Sequence, residues 1–140
     1  MAKTFPFEVH TPNRLFFNAP AQEVIVTITD GEFSVMAGHS ACTAPVKIGL
    51  LRIRDGDGNW KTAFTANGII EIKEHKTVLM SEAVEWGNEI DRERALRAKE
   101  KAEESLRSGT MKFETANAAL SLKKAEYRLK VWELENQKPR

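Results

Sequence analysis

Glycine and proline are nearly confined to the first part of this chain, and that distribution divides it in two. Seven of the eight glycines lie at or before residue 87, and four of the five prolines lie before it. Beyond Gly87 runs a stretch of Ala, Glu, Lys, Arg and Leu, broken once at Ser108-Gly109-Thr110. Gly and Pro punctuate turns and weaken helix interiors, so the first part reads as short strands between turns and the second as helix. At 140 residues the chain is one ordinary domain, or a small domain with an appendage. The boundary is expected at residues 1–86 and 87–140.

The strand signals are local. Phe5-Pro6-Phe7-Glu8-Val9-His10 alternates until Thr11-Pro12-Asn13, and Glu23 to Thr29 is β-branched and alternating until Asp30-Gly31. Phe33 to Met36 is a short run closed by Ala37-Gly38-His39. Gly49 to Arg54 and Trp60 to Thr65 flank Asp55-Gly56-Asp57-Gly58-Asn59, a hairpin signature. Ile69 to Lys73 and Thr77 to Ser81 complete the set, with Thr77–Ser81 expected as the last strand. Short strands at close spacing imply an antiparallel sandwich or barrel and exclude a βαβ fold. Trp60 and the phenylalanines are the expected core.

In the second part Asp91 sits where a helix-capping acid belongs. Ala95, Ala98, Ala102 and Leu106 make an apolar stripe at helical spacing. A second helix is expected over about Lys112–Leu134, with Phe113, Ala116, Leu120, Tyr127, Val131 and Leu134 on one side and Ala118, Leu122, Ala125, Leu129 and Trp132 beside them. A short connection makes the two helices antiparallel neighbours. An alanine seam lets the axes approach closely but buries little area, at about 25 cal/mol per Å². The hairpin should therefore be weakly held and able to open locally.

The formal charge of +1 gives no field that would draw nucleic acid or an acidic membrane surface, and no nucleic-acid partner is expected. Residues 1–87 carry eight Lys/Arg against ten Asp/Glu, and residues 88–140 carry thirteen against ten, so the helical part is mildly basic. Cys42 is the one cysteine; it excludes a disulfide framework, favours a reducing compartment and is expected as a small core thiol. The N-terminal residues lack the apolar run of a signal peptide and the bias of a transit peptide, and no stretch approaches the ~20 apolar residues of a membrane span. A soluble protein is expected, reaching a membrane only through a partner.

No catalytic constellation is visible. His10, His39 and His75 lie on separate strands or turns without the spacing of a metal site, and no Gly-rich loop opens a helix. One cluster carries more chemistry. Lys124 and Arg128 are one turn apart on the second helix, and folding the hairpin about Gly109 brings Arg94 level with roughly residue 125. Arg94, Lys124 and Arg128, with Asp91 nearby, could hold a polyphosphate. The plainer alternative is an Asp91–Arg94 surface pair with the other cations solvated.

In this order and spacing the segments resemble the epsilon subunit of the rotary F-type ATP synthase. The resemblance rests on Val9-His10-Thr11-Pro12, Asp30 to His39, Ile48 to Ile53, Ser81-Glu82-Ala83 and Glu89-Ile90-Asp91-Arg92-Glu93-Arg94-Ala95. It covers essentially the whole chain. It implies an N-terminal antiparallel β-sandwich of two sheets, a C-terminal antiparallel two-helix hairpin, and no catalytic role of its own. It implies a central-stalk subunit that bridges the gamma subunit and the polar loops of the membrane c-ring, with Glu32 toward the ring and His39 toward gamma. It implies that the hairpin can extend into the catalytic alpha/beta head and inhibit ATP hydrolysis there. The implied location is peripheral, on the cytoplasmic face of a bacterial plasma membrane. No cofactor is required, but ATP is an implied regulatory ligand. Some bacterial members bind it through Ile-Asp-x-x-Arg-Ala, here Ile90-Asp91-Arg92-Glu93-Arg94-Ala95, with Glu85 and Arg128 at matching places. Lys101 and Lys124 stand where those members carry arginine, so binding should be weaker or absent, because lysine lacks the bidentate fork. The alternative function is a stand-alone β-sandwich module that senses a nucleotide through its hairpin.

Overall fold

A computed structural model describes residues 3–109 and 112–137, with the backbone alone for residues 112–114. It divides into two compact units, Met1–Glu85 and Trp86–Arg140. The first is a β-sandwich built on nine strands: β1 (Phe5–Thr11), β2 (Arg14–Ile28), β3 (Gly31–Met36), β4 (Cys42–Val46), β5 (Gly49–Asp55), β6 (Trp60–Thr65), β7 (Gly68–Ile72), β8 (Thr77–Ser81) and β9 (Val84–Trp86). The strands run in the order β4-β7-β8-β1-β2-β5-β6-β9, with β3 also on β2.

β2 serves both layers. Its first half, Arg14 to Ala21, pairs with β1, and its second half pairs with β3 on one side and β5 on the other. A register shift between Ala21 and Glu23 marks the crossover, as a bulge turns a strand from one layer into the next. The inward positions are apolar: Phe7, Val9, Val24, Val26, Leu51, Ile53, Phe64, Ile70 and Leu79 are all fully buried. Alternation along each strand sets this parity, because successive side chains face opposite sides of a sheet.

The strand expectations hold in large part, with four corrections. β2 begins nine residues earlier than Glu23, at Arg14. β4 and β9 are additional strands, so Ser81 does not end the last one. The pairing is not wholly antiparallel, because β1 and β8 run parallel through Phe7↔Thr77 to His10↔Met80. Trp60 is not core: it starts β6 beside the turn, 43% exposed, with the Arg54 guanidinium 5.9 Å from its ring. Of the phenylalanines, Phe7 and Phe64 are fully buried and Phe5, Phe16, Phe17 and Phe33 only partly. Cys42 is likewise exposed at the start of β4 instead of in the core.

The β5–β6 turn is organised by Asp55. Its Oδ1 accepts hydrogen bonds from the backbone N–H groups of Asp57 and Asn59, both at 2.9 Å. The bond from Asn59 is the main reason its carboxyl sits below the usual carboxylate range.

The second unit opens with a 3-10 turn, Gly87–Glu89, then α1 (Arg92–Ser108) and α2 (Lys112–Asn136). Asp91 caps α1, its side chain accepting from the Arg94 N–H at 3.1 Å. Gly109 ends α1 in the left-handed conformation at φ 42°, which only glycine adopts without strain. Ala95 and Ala102 are buried on α1, and Ala118, Ala125 and Val131 on α2. Ala98 is exposed, against expectation. At 3.6 residues per turn it lies about 60° around the helix from Ala95, whereas Ala102 returns to within about 20°. On α2 the inward side is that of Ala118 and Ala125. Leu120 and Leu134, expected on one side with Val131, are 46% and 38% exposed, and Ala116 is exposed too. The side chain of Phe113 lies outside the described residues.

Candidate functional site

The feature of the sandwich with the most evident binding character was not singled out in the sequence. Pro45, Ile69, Met80, His10 and Leu15 are successive cross-strand partners on β4, β7, β8, β1 and β2. With strands about 4.8 Å apart, they form a row about 20 Å long. Ile69 is 45% exposed, Met80 42% and Leu15 50%, while the adjacent row of Ile70, Leu79 and Val9 is fully buried. The sheet is thus apolar on both faces here, as expected of a sheet with something to pack on each side. Beside the row lies a cleft of about 640 Å³ lined by His10, Thr11, Pro12, Ile69, Met80 and Glu82. His10 contributes its ring with Nε2 2.9 Å from Glu8 Oε1. That contact and the Lys76 ammonium, 3.2 Å from the other oxygen, lower the Glu8 pKa.

A sequence signal for this face does exist. Ile69-Ile70 and Val78-Leu79-Met80 are apolar at both parities, where a half-exposed strand would alternate.

The two residues expected at partner contacts, Glu32 and His39, are both exposed and lie off this row. Glu32 on β3 accepts a hydrogen bond from Arg52 on β5, reaching across β2. His39 follows β3; its ring meets Phe33 edge-on at 5.4 Å, and its Nδ1 donates to the Ser40 carbonyl at 2.8 Å. It lines a second cleft, of about 510 Å³, with Phe5, Met36, His75 and Lys76.

The seven expected nucleotide-site residues divide between the units. Glu85 is the last residue of the first unit; Ile90, Asp91, Arg94, Ala95, Lys124 and Arg128 belong to the second. Ile90 and Ala95 are buried at 7% and 4% exposure, so their side chains serve packing at the start of α1. Asp91 is committed to its capping bond. Arg94 is exposed and Lys124 half-buried, and among the described residues no ion pair engages either. Arg128 is half-buried. The Arg92 guanidinium lies 5.3 Å from the Trp132 ring. Along α2, Arg128 is one turn from Trp132 and Lys124 two.

Among the described residues no group of three or more His, Cys, Asp or Glu could hold a metal ion. No described helix is long and apolar enough to cross a membrane.

Residues 4–87 match the β-sandwich domain of the ATP synthase delta/epsilon chain, and residues 88–133 match its long α-helix domain. The ATP synthase epsilon chain of Caldicellulosiruptor saccharolyticus is 46% identical over 83% of this chain and 85% of that one. The epsilon chain of Caldanaerobacter subterraneus subsp. tengcongensis is 42% identical over 94% and 95%. In solved structures the fold matches a chain of the Euglena gracilis mitochondrial ATP synthase, solved with OSCP, F1 and c-ring, at a TM-score of 0.78. That match has 16% identity and covers 88% of this chain and 78% of the other.

A β-sandwich followed by a two-helix hairpin, matched along residues 4–133, defines a non-catalytic stalk subunit of a rotary ATP synthase. Within that class the chain belongs to the ATP synthase epsilon chain family.

Proposed function

We propose that the chain couples the rotating gamma subunit to the c-ring during ATP synthesis and brakes ATP hydrolysis through its hairpin. The observation that carries the coupling role is the exposed apolar row from Pro45 to Leu15, a flat platform on which a gamma surface can pack without a change in the sandwich. Glu32 and His39 would extend the contact to the c-ring loops and to gamma. The braking role has a different basis. The side chains buried between α1 and α2 are largely alanines, so opening the hairpin to reach the alpha/beta head exposes little apolar area. On this reading the chain is peripheral on the cytoplasmic face of the membrane, held by the complex.

Deleting residues 88–140 separates the two roles. A reconstituted enzyme carrying residues 1–87 is expected to assemble and pump normally, while ATP hydrolysis rises several-fold. Loss of coupling in that enzyme would refute the division of labour.

Regulatory ATP would be held in the second unit by Arg94, Lys124 and Arg128, with Asp91 fixing the helix start. Lys124 supplies charge without bidentate geometry and lies a turn further along α2, so affinity is expected to be low. Calorimetric titration of the full chain measures it. Micromolar binding unchanged by Arg94→Ala would overturn the assignment of these residues.

A further inference from the structure

Two contacts in the second unit converge on the last two turns of α2. The first is a close approach. A Cβ on Gly87 would stand 2.5 Å from Glu135 Cβ and 3.1 Å from the Val131 carbonyl oxygen. Both atoms belong to or adjoin the backbone of α2, so neither can swing aside. Gly87 is buried, and Val131 above it is 1% exposed. The second is the Arg92 guanidinium, 5.3 Å from the Trp132 ring centroid. Elsewhere among the described residues, the buried side chains of the two helices are the alanines Ala95, Ala102, Ala118 and Ala125.

We propose that this end of the hairpin is its latch: Gly87 forms a seat into which the Val131–Glu135 turn of α2 drops, and Arg92 holds Trp132 over it. The hairpin is then released from the end remote from Gly109. The 3-10 turn supports the seat, because the Glu89 side chain accepts a hydrogen bond from the Trp86 backbone N–H at 2.9 Å and so fixes the backbone entering Gly87. The latch as a local structure stands on these contacts alone; its meaning as a control of the brake rests on the function proposed above.

Amide hydrogen exchange on the full chain tests it, with three variants. Arg92→Gln removes the cation from an exposed position and is expected to raise exchange at residues 129–137 about two- to five-fold, the range of an exposed cation–π pair. Gly87→Ala forces α2 off its seat and is expected to raise it about five- to a hundred-fold, as overpacking does. Arg97→Gln, which breaks only the exposed pair with Glu93 at 4.0 Å, is the control and should leave that segment as it is. The proposal is overturned if Arg92→Gln raises exchange at 129–137 no more than it does around Ala102 and Ala118, or no more than Arg97→Gln does. Should Gly87→Ala unfold the whole hairpin, Arg92→Gln still decides the matter. ATP hydrolysis by the reconstituted enzyme carrying Arg92→Gln reads the second layer. Lower hydrolysis than wild type supports control of the brake. Raised exchange with unchanged hydrolysis removes the braking role and leaves the latch.

Discussion

Met80→Glu is expected to abolish docking of this chain on the gamma subunit while leaving the sandwich folded. Met80 sits at the middle of the apolar row, between Ile69 and His10 on the neighbouring strands. It is 42% exposed in the chain by itself, so a glutamate there keeps its charge in water and should change stability by less than about 1 kcal/mol. Docking would cover that carboxylate with apolar surface. An ionised group buried without a partner costs several kcal/mol, and a loss of about 3 kcal/mol lowers affinity by more than a hundred-fold. Binding of the purified variant to immobilised gamma, alongside a thermal melt of the variant alone, measures both. Affinity within about threefold of wild type would overturn the coupling role proposed for the row.

Gly68→Ala is expected to cripple the sandwich itself. Gly68 opens β7, between Val46 of β4 and Ser81 of β8. A Cβ there would run into the Met80 carbonyl oxygen, with Ser81 Cα at 2.9 Å. Both obstacles are backbone in the middle of a ladder, so relief requires strands to part. Ser81 is already fixed, since its hydroxyl lies 3.1 Å from the carbonyls of both Ala66 and Ala83 and 3.2 Å from the Thr65 hydroxyl. The expected cost is about 3 to 5 kcal/mol, at the upper end for overpacking, and a melting temperature lower by ten degrees or more for a unit of this size. Gly56→Ala is the matched comparison: its Cβ would meet nothing within 4 Å, and the melt should stay near wild type. Equal melts for the two variants would mean that β7 and β8 can shift apart freely.

How much of this was legible in the sequence depended on whether a signal was local. The β5–β6 hairpin, the Asp91 cap and the Gly109 stop were all readable, because each is decided within a few residues by turn or capping chemistry. The first half of β2 was not. Leu15-Phe16-Phe17-Asn18-Ala19-Pro20 does not alternate, and Pro20 argues against a central strand; tertiary pairing with β1 overrides both. β4 was hidden by Pro45, which is tolerated because β4 lies at the edge of the sheet. On α2 apolar residues surround the helix, so no stripe stands out and only the partner selects the Ala118–Ala125 side. The Pro45–Leu15 row needs the register of five strands, which no single segment encodes. Of the candidate nucleotide residues, the motif at the start of α1 was readable as a helix beginning. Whether Lys124 and Arg128 come level with Arg94 was not, since that depends on how α2 packs along α1.

The long strand β2 has a mechanical consequence. Two stacked sheets ordinarily resist sliding only through the interdigitation of their side chains, which yields under a sideways load. Here one covalent strand runs through both layers, hydrogen-bonded to β1 at one end and clasped between β3 and β5 at the other. Shear applied to one layer is therefore carried to the other as tension along a backbone. The register shift between Ala21 and Glu23 is where that backbone turns from one layer into the other.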